Sequence, residues 1–482
     1  MAQAETGARE GEERWESRES GEIAGDAASL AALGAGRDAG TLPRELATES
    51  ADATAVDRAG REPDQQRQRG ARGERSMSLQ TFRVLRHRDF SLLWGGLVIS
   101  AVGTWMQIVA QSLLVLQLTH NSAFALGVVS LAQAASFFCF AFIGGAVADR
   151  VDKRRFLLVT QSISMLLAVL LGTLVATHTI QVWMIVALAF VSGANLSFDQ
   201  PTRSALIPLL VPRDELLSAI ALQSIVFQGA AVIGPALAAF TLQAYGFAAN
   251  YFLNAISFLG VLVALALIHM PKHANEARES RGNLWGNVGE ALGVVRRDAA
   301  LPWLVASYGA MLFFGPSGSL ILPIFATTVL HINKVGLGIL FTMGGVGTVL
   351  GALFISSVGR ALPKGALALG GVVVWSAAFL VFAFTTSFPL ACLLLLISSG
   401  AQNIAAASTI TLMQLRVPPR MRGRVMSLNT LLIMGARPLG DFPAGALIGP
   451  LGAPLVVALG TGVVGVYTLV VGMLRPKLRQ TR

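Results

Sequence analysis

From Phe90 to Leu474 the chain is a succession of apolar runs of about twenty residues, separated by short polar connections. A run of that length can cross the hydrocarbon of a bilayer as a helix, and internal Gly and Pro residues do not disqualify it. The pattern predicts twelve such spans, near 90–117, 123–148, 156–177, 181–202, 216–242, 248–270, 301–329, 335–358, 365–385, 388–415, 424–448 and 453–474. Residues 1 to about 80 are a different material, rich in Glu, Arg, Gly, Ala and Gln and without apolar periodicity. Such a segment buries too little surface to offset its ordering entropy and reads as a disordered N-terminal tail; it has no signal-peptide h-region. Met77, which opens Met-Ser-Leu-Gln-Thr-Phe-Arg, is a candidate start, and the tail is then an over-extended reading of the gene.

Composition narrows the class. The chain is 54% hydrophobic and 13% charged, about half the charge content of soluble domains, with a mean hydropathy of +0.62. The net charge of +10 could suggest nucleic acid, but the basic residues sit in short clusters between apolar runs, as orientation in a bilayer requires. No nucleic-acid partner is expected. Cys139 and Cys392 lie in apolar runs far apart, which supports neither a disulfide framework nor a metal site nor a thiol nucleophile. The histidines lack ligand spacing, and no Gly-rich phosphate loop with a Lys is present, so no metal, cofactor, enzymatic site or ATP-driven pump is expected.

The basic clusters give the orientation. Gly145-Ala-Val-Ala-Asp149-Arg150-Val-Asp152-Lys153-Arg154-Arg155 is expected as a charged turn at the membrane surface, and short Lys/Arg-rich loops stay in the cytoplasm. The loops on that side then hold Arg203, Arg213, Lys272, Arg278, Arg281, Arg296, Arg297, Arg360, Lys364, Arg416, Arg420, Arg422 and Arg424, and the tail Arg475, Lys477, Arg479 and Arg482. The opposite loops hold only Lys334. Both ends are therefore expected in the cytoplasm. The longest connection divides the chain into an N-terminal half (81–270), a cytoplasmic linker (271–300), a C-terminal half (301–475) and a basic tail (476–482). In the linker Trp285, Val288, Leu292 and Val295 recur at helical spacing with Glu290, Arg296 and Arg297 off that face, which predicts a helix lying in the interface.

The halves repeat. Ser192-Gly193-Ala194 reappears as Ser399-Gly400-Ala401, Val211-Pro212 as Val417-Pro418, Gly229 and Gly234 as Gly435 and Gly440, and Gly246 as Gly452. Two six-helix pseudo-repeats around a midplane path are a transporter architecture. The chain is thus expected to be an all-α integral membrane protein of about twelve helices.

Gly145-x-x-x-Asp149-Arg150-x-x-Lys153-Arg154 resembles the loop signature of the major facilitator superfamily. Phe82-Arg-Val-Leu-Arg-His-Arg-Asp89-Phe90-x-x-Leu-Trp94, Gly103-Thr-Trp105-Met-Gln107, Phe198-Asp199-x-Pro201-x-Arg203, Gly234-Pro235-Ala236 and Arg422-Gly423-Arg424-Val425-Met426-Ser427 are similar to its enterobactin-exporter-like branch. The resemblance implies the major facilitator fold and efflux of siderophores or hydrophobic drugs by proton antiport. It also implies that Gly145, Asp149, Arg150, Lys153 and Arg154 help latch the cytoplasmic side; the other reading is that the basic residues only set topology. Gly229, Gly234 and Pro235 resemble the exporter motif of the fifth span, where packing alone is the alternative. The family often carries Arg three residues before that Gly-Pro; here the place is Ala231, and its mirror in the second half is Arg437.

Charges and amides within the spans are the remaining candidates. Asp441 and Arg437, four apart, share one helix face and are expected either to pair or to face a wet cavity. The pair is either structural, steadying a helix bent by Pro438 and Pro443, or Asp441 is a proton or cationic-substrate site. Asp199, with Arg203 one turn on, is the second candidate coupling pair. Gln107, Gln111, Gln133, Asn195, Gln223, Gln228, Gln402 and Asn403 either line a substrate path or serve as glue between helices. The leading reading is a monomeric secondary exporter in the bacterial inner membrane, with lipid, protons and a small molecule as partners. An importer of the same fold and a non-transporting scaffold or sensor are the alternatives.

Overall fold

A helix that is apolar all round has no stripe for water and must be surrounded by protein or lipid. Most helices of this chain are of that kind. The computed structural model describes residues 82–212, 214–269, 284–359, 361–418 and 421–481. The expected disordered tail, the first part of the linker and Arg213, Arg360, Arg420 and Arg482 lie outside them. Within the unit Met77–Arg482, the described residues are helices and short connections without a strand.

The N-terminal helices are α1 (Arg88–Leu118), α2 (Ala123–Arg150), α3 (Lys153–Ala176), α4 (Val182–Leu210), α5 (Leu216–Ala244) and α6 (Gly246–Leu267). The linker helix α7 (Leu284–Arg297) follows. The remainder is α8 (Leu301–Phe314), α9 (Gly318–Thr328), α10 (Lys334–Ser357), α11 (Lys364–Phe384), α12 (Phe388–Arg416), α13 (Arg422–Leu431), α14 (Arg437–Leu451), α15 (Ala453–Leu474) and α16 (Pro476–Arg479). Among the described residues, eleven helical segments are long and apolar enough to cross a membrane, and α8 with α9 makes a twelfth.

Three spans differ from the simple runs the sequence suggests. The fourth continues past residue 202 to Leu210 with Pro201 and Pro208 inside it. Arg203 is held one turn back by Asp199, so the charge is neutralised and the helix need not stop there. The seventh is broken at Gly315-Pro316-Ser317 and bent by 41° between α8 and α9. Proline disfavours helical geometry in the residue before it, and Ser317 caps α9 by accepting from Leu320 N at 3.2 Å. The eleventh runs from α13 through a π-turn, Leu432–Ala436, into α14. Pro438 lacks the N–H that an α-helix would donate to residue 434, and the ladder widens at that point.

The charged segment also departs from expectation. α2 continues helically through Gly145 to Arg150, leaving Val151 and Asp152 as the whole connection. Asp152 caps α3 by accepting from Arg155 N at 2.9 Å.

Glycines show the repeat in contact form. A Cβ on Gly234 would fall 2.5 Å from Trp105 Cβ, so α5 lies tightly on α1; at the mirror position Gly440 of α14 lies against the Phe313 backbone of α8. Gly193 seats α4 on the Gln133 backbone of α2, and Gly400 seats α12 on Gly347 of α10. Gly246 and Gly452, at φ +79° and +81°, turn the chain into α6 and α15 through a conformation that favours glycine.

The halves meet mainly through α2 with α14 and α5 with α10, with α9 touching α1 and α2. Most of the close approaches that locate these contacts lie toward the loops poor in charge, with Gly435 against Phe138 deeper in the span. Gly127 would meet Asp441 O and Phe442, Gly445 would meet Ala123, Gly338 would meet Pro235 O and Ala239, and Gly345 would meet Ala231 and Val232. Phe124 and Phe442 rings lie 5.6 Å apart. Thr342 Oγ1 donates to Val232 O at 3.2 Å. This is a seal of small residues on one face of the molecule.

α7 docks on the second half. Ala291 and Val295 are buried in a cluster with Leu301, Leu412, Val425 and Leu428. Leu292, expected on the apolar face of an interfacial helix, is exposed, while the Ala291–Val295 line packs against the second half. The side chains of Trp285 and Val288 lie outside the description. Glu290 pairs with Arg424 of α13. Asp298 accepts from Ala300 N at 2.7 Å and Leu301 N at 2.9 Å and pairs with Arg416 at 2.9 Å. Partial burial works against the Asp298 carboxylate, but those two N–H groups and the Arg416 guanidinium hold it below the usual carboxylate range. Its contribution is therefore complete above the ordinary carboxylate pKa and is lost as pH falls through the lower folded value. The protection factor of the amides at the start of α8, exchange corrected for its intrinsic pH dependence, is expected to be flat from pH 8 to pH 5 in wild type and lower throughout in Asp298→Asn; equal protection in both would remove the cap from the account.

Candidate functional site

The carboxylate of Asp199 on α4 is enclosed by three partners. Oδ2 pairs with Arg203 at 2.5 Å, and Oδ1 accepts from Thr160 Oγ1 at 2.9 Å and Gln161 Nε2 at 2.6 Å on α3. Asn195, one turn earlier, donates to Thr160 O at 2.9 Å and Ser164 Oγ at 2.8 Å. The group joins α3 to α4 inside the first half. Gln107 similarly accepts from Asn254 Nδ2 at 2.5 Å, joining α1 to α6. In this conformation Gln107 and Asn195 bond helix to helix. Gln111, Gln133, Gln223, Gln228, Gln402 and Asn403 are half-buried or exposed and make no hydrogen bond among the described residues.

Asp441 and Arg437 are arranged differently from a simple i, i+4 pair. Among the described residues no ion pair joins them. Asp441, 2% exposed, instead reaches the break in the seventh span, where its Oδ1 accepts from Ser317 N at 2.8 Å. Ser317 is the N-cap of α9. The carboxylate therefore sits at the positive end of that helix and satisfies a donor the helix cannot satisfy itself. Gly440 lets α14 approach α8 closely enough for this reach, and Gly127 of α2 closes over the Asp441 backbone. Three elements, including one from each half, thus converge on Asp441.

Arg437 stands at the end of the π-turn, halfway along the span Arg422–Leu451. The residue is half-buried, within electrostatic range of Tyr308 on α8, and its Nε is buried without a hydrogen-bond partner among the described residues.

Of the loop-signature residues, Arg154 donates from Nε to Leu265 O at 2.6 Å and from a terminal nitrogen to Ala266 O at 2.5 Å. It thus satisfies carbonyls at the end of α6 within its own half. Lys153 begins α3. Gly145, Asp149 and Arg150 lie in the last turns of α2, and their side chains are outside the description. Gly234 and Pro235 are buried at the α1 and α10 contacts, whereas Gly229 has no neighbour within 4 Å of a Cβ position.

Ser317 was not among the residues singled out by sequence. A Ser following Gly-Pro inside an apolar run carries the signal of a helix restart, but not of the carboxylate 124 positions on that it meets. Asn254, Thr160 and Gln161, partners of the named polar residues, carried no signal beyond being polar in apolar runs.

Comparison with known proteins accords with this architecture. The macrolide efflux protein A of Streptococcus pyogenes is 23% identical over 370 residues, covering 73% of this chain and 87% of that protein. The enterobactin exporter EntS of Citrobacter koseri is 25% identical over 399 residues, covering 80% and 91%. The multidrug efflux pump Tap of Mycolicibacterium fortuitum is 25% identical over 357 residues, covering 72% and 86%. Among solved structures, a bacterial homologue of the iron transporter ferroportin in an inward-facing state superposes with a TM-score of 0.64 at 16% identity, covering 79% of this chain and 98% of that one. A POT family transporter in complex with 5-aminolevulinic acid gives 0.64 at 13% identity, covering 81% and 96%. The family model described as transmembrane secretion effector matches residues 79–482. The chain belongs to that family: it is a multi-pass membrane transporter of the major facilitator superfamily.

Proposed function

We propose that this chain exports a hydrophobic small molecule, a drug or a siderophore, from the cytoplasm across the bacterial inner membrane in exchange for protons. It does so as a monomer with both termini in the cytoplasm. The observation that carries the alternating-access part is the one-sided seal. Among the described residues the halves are joined by Gly127, Gly338, Gly345 and Gly445 on the face away from the basic loops. With the Lys- and Arg-rich loops inside, that seal closes the periplasmic side. Cargo then enters from the cytoplasm or the inner leaflet. The direction of transport is supported by the relatives, which are efflux and export proteins for a macrolide, enterobactin and multiple drugs.

Asp441 is the coupling carboxylate in this reading. It is an ionisable group inside a span, which favours a functional role, and it bonds the element of the second half that touches α1 and α2. Loss of its charge on protonation weakens the hold on α9 and with it the seal. Asp149, Arg150 and Lys153 belong to the opposite gate, and Gln111, Gln133, Gln223, Gln228, Gln402 and Asn403 to the path. Gly234 and Pro235 set the close packing that lets the halves rock without losing internal contact.

The test is transport into inverted membrane vesicles under an imposed pH gradient, with erythromycin and enterobactin as cargo. Concentrative uptake that dissipates the gradient is expected. Vesicles that take up neither compound and leave the gradient unchanged would refute proton-coupled export of these classes.

A further inference from the structure

Arg437 is a charge halfway along its span that makes no ion pair among the described residues. Its sequence neighbour of opposite sign, Asp441, is held elsewhere: the carboxylate bonds Ser317 N at 2.8 Å, and the positive end of α9, an eleven-residue helix, takes up its charge. The Arg437 Nε is buried with no acceptor among the described residues, although a guanidinium in a membrane span is costly unless paired or wet. It lies at the end of a π-turn, a local widening of the helix that recurs at functional sites. It also lies between the two levels at which α14 meets the first half, Gly435 against Phe138 and Asp441 against Gly127. Tyr308 and Asp441 lie within electrostatic range of it. A fixed, half-buried positive charge halfway along its span, with an unsatisfied Nε, is a receptor for a negative group.

From this we infer that Arg437 is an anion-binding group of the transport path, and that the cargo carries a carboxylate or comparable acidic oxygen beside its apolar body. The inference deepens the export reading and rests on it for the word cargo, but the site itself is defined by binding alone. The planar guanidinium suits this role because it donates two parallel hydrogen bonds to an acidic group.

The experiment uses a matched pair of dyes, rhodamine 110, with a free carboxylate, and rhodamine 123, its methyl ester. Binding to the purified full chain in detergent is read by fluorescence anisotropy. Wild type is expected to bind the acid ten- to a hundredfold more tightly than the ester, the range of a charge-assisted hydrogen-bonded contact. Arg437→Gln is expected to remove the preference, mainly by weakening binding of the acid, and Arg437→Lys to keep part of it. Equal binding of acid and ester by wild type, or no binding of either, would overturn the inference; so would a preference that survives in Arg437→Gln. A monodisperse elution profile and a melting temperature equal to wild type show that the variant is folded. Transport of the same dyes into inverted vesicles is scored separately: acid-selective binding without transport would sink the export reading and leave the anion site standing.

Discussion

Asp441→Asn is expected to abolish accumulation of cargo against a gradient while leaving exchange of labelled for unlabelled cargo intact. The amide oxygen still accepts from Ser317 N, so the cap on α9 keeps its shape. What disappears is the ionisable proton site and the charge facing the helix terminus. Uptake into inverted vesicles should then stop at equilibration, whatever the size of the imposed pH gradient. Asp441→Ala separates the roles further. It leaves the N–H of Ser317 without its acceptor in a dry site, which costs about 1–3 kcal/mol, and it should lower thermal stability as well. A variant Asp441→Asn that still concentrates cargo would move the coupling role to another group. Loss of exchange together with accumulation would instead make Asp441 structural.

Asp199→Ala is expected to produce the largest loss of stability from a polar substitution in the first half. The substitution strands Arg203, whose side chain is 17% exposed, and removes the shared acceptor of Thr160 and Gln161. Breaking a buried pair by deleting one partner costs about 3–5 kcal/mol, because the remaining charge stays desolvated. The double variant Asp199→Ala, Arg203→Ala should recover part of the loss. The readout is the temperature at which the detergent-solubilised protein ceases to be monodisperse. A single variant as stable as wild type would mean that Arg203 swings to water at the membrane surface, and the network would then lose its structural role.

The spans and their repeat were legible because bilayer thickness and backbone satisfaction leave few options: length and hydropathy alone locate helices such as α3, α6 and α15 to within a few residues. The offset glycines were legible as a repeat, and Gly193 with Gly400 and Gly234 with Gly440 do seat helices closely, whereas Gly229 meets no neighbour. The breaks were less so. Pro201 and Pro208 sit inside an unbroken α4, whereas Pro316 ends α8, and the difference lies in tertiary partners rather than in the dipeptides. Local spacing suggested that Arg437 and Asp441 pair or face a wet cavity; the carboxylate instead meets a buried backbone N–H of another helix. Polar residues in apolar runs could be enumerated, but whether an amide faces a neighbour or a cavity depends on helix rotation. Gln107 meets Asn254 only because Gly103 brings α1 onto α6.

The seal between the halves has a physical character that sets what can act on it. Among the described residues no ion pair crosses it; it is backbone against backbone at glycines, with one aromatic contact, one hydrogen bond and Lys334 over the Phe247 ring at its rim. Contacts of this kind are short-ranged and are not screened by dissolved ions. In the proposed orientation, the ionic strength outside the cell therefore has almost no purchase on whether this gate opens. Its sensitivity is to volume: a single added methyl group at Gly127 or Gly345 acts where a hundredfold change of salt would not.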